Sequence, residues 1–310
     1  MKTPNKDSRI SSIIIALFVV FLWATSWVFI KIGLAEIPAL TFAGLRYTLA
    51  FILLLPVVFL TNRGSSLRSI SRQSWTKLIL LGLLLYTVTQ GAIFIALSYL
   101  PAVTVNLLWS FSTVTVAILG IRLLNERPTS FQWVGITLAI LGALIFFYPV
   151  SFPRSYQVGI IVSAIGILAN AGASILGRDI NRSGEVHPLI VTAISMGVGS
   201  IVLLTTGIFV QGLPRIGLQS WAIILWLAVV NTAFAFTLWN FTLRNLSATE
   251  SSVINGTMLI WIPILAIVFL DEHITYQELI GLIVAGIGTL FVQLRKPSTL
   301  ARLFGRQPAP

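Results

Sequence analysis

Amides, hydroxyls and indoles recur together in the apolar stretches of this chain, and they define the chemistry open to it. Trp23, Ser26 and Trp27 share one stretch; Tyr86 and Gln90 share another, four residues apart and so on one helical face. Asn106 and Ser110 have the same spacing, with Trp109 beside them. Asn170 follows, then Asn231, Trp239 and Asn240, then Asn255 and Trp261. Such groups recognise rather than react. They exchange hydrogen bonds, and their rings stack on aromatic or amphipathic molecules or sandwich a cation. An amide in lipid is unfavourable, so these residues face protein or a water-filled cavity. For any single Asn an inter-helix hydrogen bond is the simpler reading; their number over separate stretches argues for a polar cavity.

Groups that make and break bonds are scarce. There is no cysteine, and the two histidines, His187 and His273, stand beside charged loop residues. All nine acidic residues fall in tails, loops or the ends of apolar stretches. No nucleophile–base set and no metal-ligand set can therefore be assembled inside a span, and neither an enzyme, nor a metal, nor a cofactor is expected. A carrier coupled to protons or sodium usually keeps a carboxylate at mid-membrane. Its absence favours facilitated export, exchange, or coupling through the cargo's own charge. Two cations do lie within spans. Lys31, about one turn from a span end, is expected either to snorkel to the headgroups or to serve as a charged gate. Arg46, about two turns in, is expected to pair with Glu36 or with helix-end carbonyls, or to attract an anionic group.

The elements that must position these residues follow from composition. The chain is 56% hydrophobic and 9% charged, with mean hydropathy +0.95. Too few charges remain to cover a water-soluble surface, so this is an integral membrane protein. Its net charge of +11 reflects cations retained on one side of a bilayer rather than a nucleic-acid partner. About 20 apolar residues cross the hydrocarbon. By that rule ten spans are predicted, at roughly 12–34, 40–60, 76–98, 102–123, 131–148, 157–177, 188–209, 220–241, 249–270 and 277–294. The basic N-terminal residues precede a long apolar run without a small-residue cleavage site, so that run reads as the first span. With the N-terminus in the cytoplasm, sixteen of the twenty Lys and Arg lie inside and only Arg154 and Arg215 outside. Such an asymmetry predicts both termini in the cytoplasm.

The chain also repeats itself. Ile118–Leu144 returns at a shift of 146 as Ile264–Leu290, with ten of 27 positions identical, where composition alone gives about three or four. Glu126/Glu272, Thr129/Thr275, Gly135/Gly281 and Gly142/Gly288 are the telling matches. Five spans per half is an odd number, so the second copy must be inverted, an architecture of secondary transporters. The expected division is 1–148 for the first repeat, 149–296 for the inverted second, and a basic cytoplasmic tail at 297–310. Each Glu sits at a turn, where it is expected to cap the start of the next helix or to act in gating. The glycines, seven apart, are expected to form a packing face. In the ninth span Gly256 and Pro263 each weaken the helix and are expected to act as hinges.

These residues resemble the EamA-like branch of the drug/metabolite transporter superfamily over nearly the whole chain. The resemblance rests on the span count and on Leu124-Asn125-Glu126-Arg127-Pro128-Thr129, repeated as Leu270-Asp271-Glu272 with Thr275. Leu22-Trp23-Ala24-Thr25-Ser26-Trp27 with Lys31, and Pro38 with Arg46, also look like the family's first half; Ala24 replaces the Gly usual there. It implies an all-α carrier whose central cavity, between the two repeats, is lined by spans 1, 3, 4, 6, 8 and 9. The amides and aromatics named above then become candidate substrate contacts. It implies export of amino acids or other metabolites, from the plasma membrane or, in a bacterium, the inner membrane. The aromatic, carboxylate-free interior tilts the expected cargo towards aromatic or large neutral amino acids. The alternative, a multidrug exporter for lipophilic cations, usually wants a buried carboxylate. Expected partners are a small-molecule substrate and the lipid bilayer, with a homodimer left open and no nucleic acid.

Overall fold

The computed structural model describes residues 6–60, 70–123, 129–149, 153–183, 185–242, 245–246 and 248–293. Every described element is helical: α1 (Lys6–Gly33), α2 (Ala39–Leu60), α3 (Arg72–Gly82), α4 (Gln90–Tyr99), α5 (Ala102–Leu123), α6 (Ser130–Phe146), α7 (Arg154–Ser183), α8 (Pro188–Gln211), α9 (Leu218–Ala228), α10 (Ala235–Thr242), α11 (Ala248–Gly256), α12 (Met258–Leu270) and α13 (Tyr276–Gln293). A π-helical turn, Leu83–Thr89, joins α3 to α4, and a second, Val229–Phe234, joins α9 to α10.

Among the described residues, nine helices are long and apolar enough to cross a membrane, counting α3–α4, α9–α10 and α11–α12 as continuous rods. The expected fifth span is the exception. Its helix, α6, is apolar but 17 residues long. Two helices clearly outrun their predicted spans, because helix continues into polar ends that hydropathy excludes: α1 begins at Lys6 and α7 runs from Arg154 to Ser183.

The helices gather into two compact units, and neither unit is one half of the chain. The first draws on 1–28, 102–153 and 235–310, the second on 29–101 and 154–234.

In the first unit α6 lies against α13. A Cβ built on Gly142 would sit 2.3 Å from Ala285 N, and one on Gly288 would sit 2.3 Å from Ala139 N. Gly135 would meet Gly288 O at 2.7 Å, and Gly281 would meet Gly142 O at 2.7 Å. The two helices are therefore antiparallel and touch backbone to backbone, each glycine facing the other copy's. Only residues without side-chain bulk allow this approach. The expected packing face is present, with the last predicted span of each half as mutual partner.

The starts of these helices are capped as a pair. Thr129 Oγ1 accepts from Gln132 N at 3.3 Å while Gln132 Oε1 accepts from Thr129 N at 3.1 Å. Thr275 and Glu278 make the same box, with Glu278 Oε2 accepting from Thr275 N at 2.7 Å. Glu272 thus does not cap the helix that follows it, since Thr275 already does. It reaches instead to α5, accepting from Ala102 N at 2.6 Å and Val103 N at 3.1 Å. A carboxylate at those free N–H groups also meets the positive end of the helix dipole. Its repeat partner Glu126 lies outside the described residues.

In the second unit α2 and α8 are likewise antiparallel and close. A Cβ on Gly44 would lie 2.4 Å from Leu204 Cα, and one on Gly207 would lie 2.5 Å from Thr41 N. Carboxylates again hold helix starts. Glu185 accepts from Ser71 N at 3.2 Å and Ser74 Oγ at 2.7 Å, at the beginning of α3. Glu36 accepts from Ser220 Oγ at the beginning of α9. The shift of 146 carries Ser74 onto Ser220, so the two caps are counterparts.

Candidate functional site

Two polar centres emerge, one within each unit. In the second unit, neighbouring residues of α2 reach both π-helical turns. Tyr47 packs its ring on Tyr86 of the first turn, centroids 5.7 Å apart, and donates its hydroxyl to Gln90 Oε1 at 2.7 Å. Arg46 donates from Nε and Nη2 to Thr232 Oγ1 of the second turn, both at 3.3 Å, with its Cζ 5.0 Å from the Tyr47 ring centre. Asn231, beside Thr232, is fully buried.

A π-helical turn widens the helix by one residue and displaces its carbonyls, which recurs at functional sites. Threonine hydroxyls meet the displaced groups here. Thr89 donates to Leu84 O at 2.7 Å and Thr232 to Leu227 O at 2.8 Å, each five residues back. The shift of 146 puts Leu83 onto Val229, so the two turns begin at the same place in the two copies.

The cations part company. Lys31 does not snorkel: Nζ donates to Leu97 O at 2.6 Å and Leu100 O at 2.7 Å, at the carbonyl end of α4. That end is unsatisfied and negative, which suits an ammonium. Arg46 does not pair with Glu36, whose carboxylate is taken by Ser220 at the α9 start. Arg46 is 5% exposed and has no carboxylate partner among the described residues.

In the first unit the indoles assemble. Trp23 of α1 lies 5.1 Å from Trp239 and 5.3 Å from Phe236 of α10, and Phe21 meets Trp261 of α12 edge-on at 5.3 Å. Trp23, Trp239, Met258 and Trp261 line one apolar cluster with Val20 and Ile254. Asn106 of α5 is bound to this wall through Met258 O at 3.4 Å. Several buried polar atoms here have no partner among the described residues: Trp23 Nε1, Ser26 Oγ, Trp109 Nε1 and Ser251 Oγ. Buried donors are normally satisfied, so each of these atoms is an exception to that rule.

The remaining sequence candidates are less engaged. Trp27 is buried in the first unit, Ser110 satisfies itself on Leu107 O at 2.7 Å, and Asn170 is half-buried on α7. Asn255 is exposed. Span 9 breaks once and not twice: Thr257 separates α11, ending at Gly256, from α12, which runs through Pro263. Proline within a membrane helix is tolerated where neighbours satisfy the freed carbonyl.

Tyr47, Thr232 and Phe236 were not among the sequence candidates. Tyr47 adjoins Arg46 and Thr232 adjoins Asn231, so chain neighbours of a polar residue in a span were the available signal. Nothing in the run Leu83–Thr89, which has neither Gly nor Pro, announces a π-helical turn.

Comparison with known proteins fits this picture. The EamA-like transporter family matches residues 10–148 and, again, residues 157–294. The transporter YvbV of Bacillus subtilis (strain 168) is 28% identical over 305 residues, covering 93% of each chain. A probable amino-acid metabolite efflux pump of Escherichia coli (strain K12) is 22% identical over 290 residues, covering 89% of this chain and 92% of its own. A solved crystal structure at 16% identity superposes with a TM-score of 0.65, over 95% of this chain and 99% of that one, which bears on the fold. With helices long and apolar enough for a multi-pass membrane protein and a family match on both halves, the chain belongs to the EamA-like transporter family of the drug/metabolite transporter superfamily.

Proposed function

We propose that the chain is a secondary transporter that carries amino acids, aromatic or large neutral ones, out of the cytoplasm by alternating access. The observation that carries this reading is the indole cluster of Trp23, Trp239 and Trp261, with the Trp23 N–H buried and unpartnered at its edge. Flat apolar faces beside free donors match a molecule with a large side chain and a polar head. Similarity to the amino-acid metabolite efflux pump points the same way. A lipophilic-cation exporter usually wants a buried carboxylate within the spans, and all nine acidic residues of the chain fall in tails, loops or the ends of apolar stretches.

The accompanying topology has ten spans in two inverted repeats, 1–148 and 149–296, with α6 as the short tenth and both termini in the cytoplasm of a plasma or bacterial inner membrane. The Lys and Arg distribution and the antiparallel α6/α13 contact support it.

Counterflow into proteoliposomes with labelled phenylalanine, tryptophan and leucine tests the cargo. Saturable uptake driven by preloaded unlabelled amino acid is expected. Counterflow of another solute class with none of these would overturn it. Because the chain has no cysteine, Arg215→Cys and Ser183→Cys report orientation. An impermeant maleimide should label the first and not the second in intact cells; the reverse pattern inverts the topology.

A further inference from the structure

We propose that Arg46, held between the two π-helical turns, binds the carboxylate of the cargo. This rests on the amino-acid reading above and names a carboxylate-binding group within the second unit. Lys31 is a structural cation, with two short bonds to helix-end carbonyls. Arg46 is nearly as enclosed as a residue can be, yet spends both of its bonds on one oxygen, at the long distance of 3.3 Å. That oxygen offers lone pairs only, since the Thr232 proton goes to Leu227 O. Nη1 makes no hydrogen bond among the described residues. A buried cation without a counter-charge is unfavourable, and a guanidinium with one edge open is shaped for a carboxylate.

The surroundings supply the rest. Gln90 uses its oxygen on the Tyr47 hydroxyl, which leaves the half-buried amide NH2 as a second donor beside the same ring. Tyr47 therefore fixes both donors, Arg46 by its π face and Gln90 by its hydroxyl. Both π-helical turns are engaged by this one pair of α2 residues, Tyr86 through Tyr47 and Thr232 through Arg46. An arginine serving only as a strut would be expected to use its neighbours' carbonyls, as Lys31 does.

The test uses the purified full-length chain and thermal stabilisation by L-phenylalanine, phenylpyruvate, phenethylamine and phenylalaninamide, a ligand of the folded state raising its stability. The two carboxylates are expected to stabilise it and the two compounds without one are not. In Arg46→Gln the apparent affinity for phenylalanine should fall on the order of ten- to a hundredfold, the loss of a charge-assisted hydrogen-bonded pair. Arg46→Lys should recover part of it, and Thr232→Val, which keeps the charge but frees the side chain, should lose less. If Arg46→Gln does not fold, the ligand series and Thr232→Val decide. Phenethylamine binding wild type as well as phenylalanine does, or phenylalanine binding Arg46→Gln undiminished, overturns the carboxylate site and leaves amino-acid export standing. Arg46-dependent binding of phenylpyruvate with no amino acid bound does the opposite. No carboxylate bound by wild type sinks both.

Discussion

The glycine contact of α6 with α13 and the paired π-helical turns are both products of the same duplication, and they have aged differently. In the contact, residues and geometry repeat together: Gly135, Ala139 and Gly142 stand against Gly281, Ala285 and Gly288. In the turns, only the backbone repeats. Tyr86 corresponds to Thr232, Thr89 to Ala235 and Gln90 to Phe236. Where backbones touch, no side chain larger than a methyl fits, so both copies are held to the same residues. Where the helix opens, side chains are free to differ, and there a polar group of one copy is replaced in the other by a different hydroxyl or by an apolar residue. One region holds the fold; the other has room for selectivity.

That contrast can be broken by substitution. The largest effect is expected in the contact. Gly288→Val puts a branched side chain where even a Cβ meets Ala139 N at 2.3 Å and Gly135 O at 2.7 Å. A loss of ~3 kcal/mol or more is expected, read as a lower melting temperature or as aggregation in gel filtration. Near-native stability would mean that the contact is not the rigid region. A middle effect is expected at the carboxylate that ties the repeated block to α5. Glu272→Ala frees two N–H groups at the α5 start and should cost about 1–2 kcal/mol, measurable by thermal unfolding. A cost matching Gly288→Val would mean that capping, not backbone contact, dominates the first unit.

The smallest effect belongs to the second unit's exposed cap. The Ser74 hydroxyl, then the side chain and N–H of Ser71, hold the Glu185 carboxyl below its ordinary value of 4.5. A depressed folded-state value stabilises above the unfolded value and is lost as pH falls through the folded one. Wild type should therefore lead Glu185→Gln by a small margin at neutral pH, and the margin should close as pH falls below about 4.5. A margin that is widest in acid would contradict the cap.

Much of this was legible in the sequence. Hydropathy located the helices, because lipid demands length and apolarity and little else. Gly135/Gly142 and Gly281/Gly288 announced a helix face by spacing alone, and the face is there. The misreadings concern which partner a polar group takes. Glu36 was a candidate for Arg46 by proximity in sequence, yet the free N-terminal end of α9, far along the chain, holds it through Ser220. Glu272 caps a helix start as its turn position suggests, but that of α5, whose first residue, Ala102, lies 170 residues earlier in the chain. Lys31 found carbonyls on α4 rather than headgroups. These choices depend on which helix ends meet, and residue order does not encode that. Only Thr257 broke the ninth predicted span, although Pro263 was the more conspicuous signal.

The glycine contact has one thermodynamic consequence. Docking α6 on α13 along Gly135, Ala139, Gly142, Gly281, Ala285 and Gly288 freezes no rotamers, because neither glycine nor alanine has any to lose. The backbone freedom of those residues is already gone once each helix has formed. Side-chain disorder, which pulls most interfaces apart more strongly as temperature rises, has almost no purchase at those six positions. On heating, α6 and α13 should be among the last helices of the protein to separate.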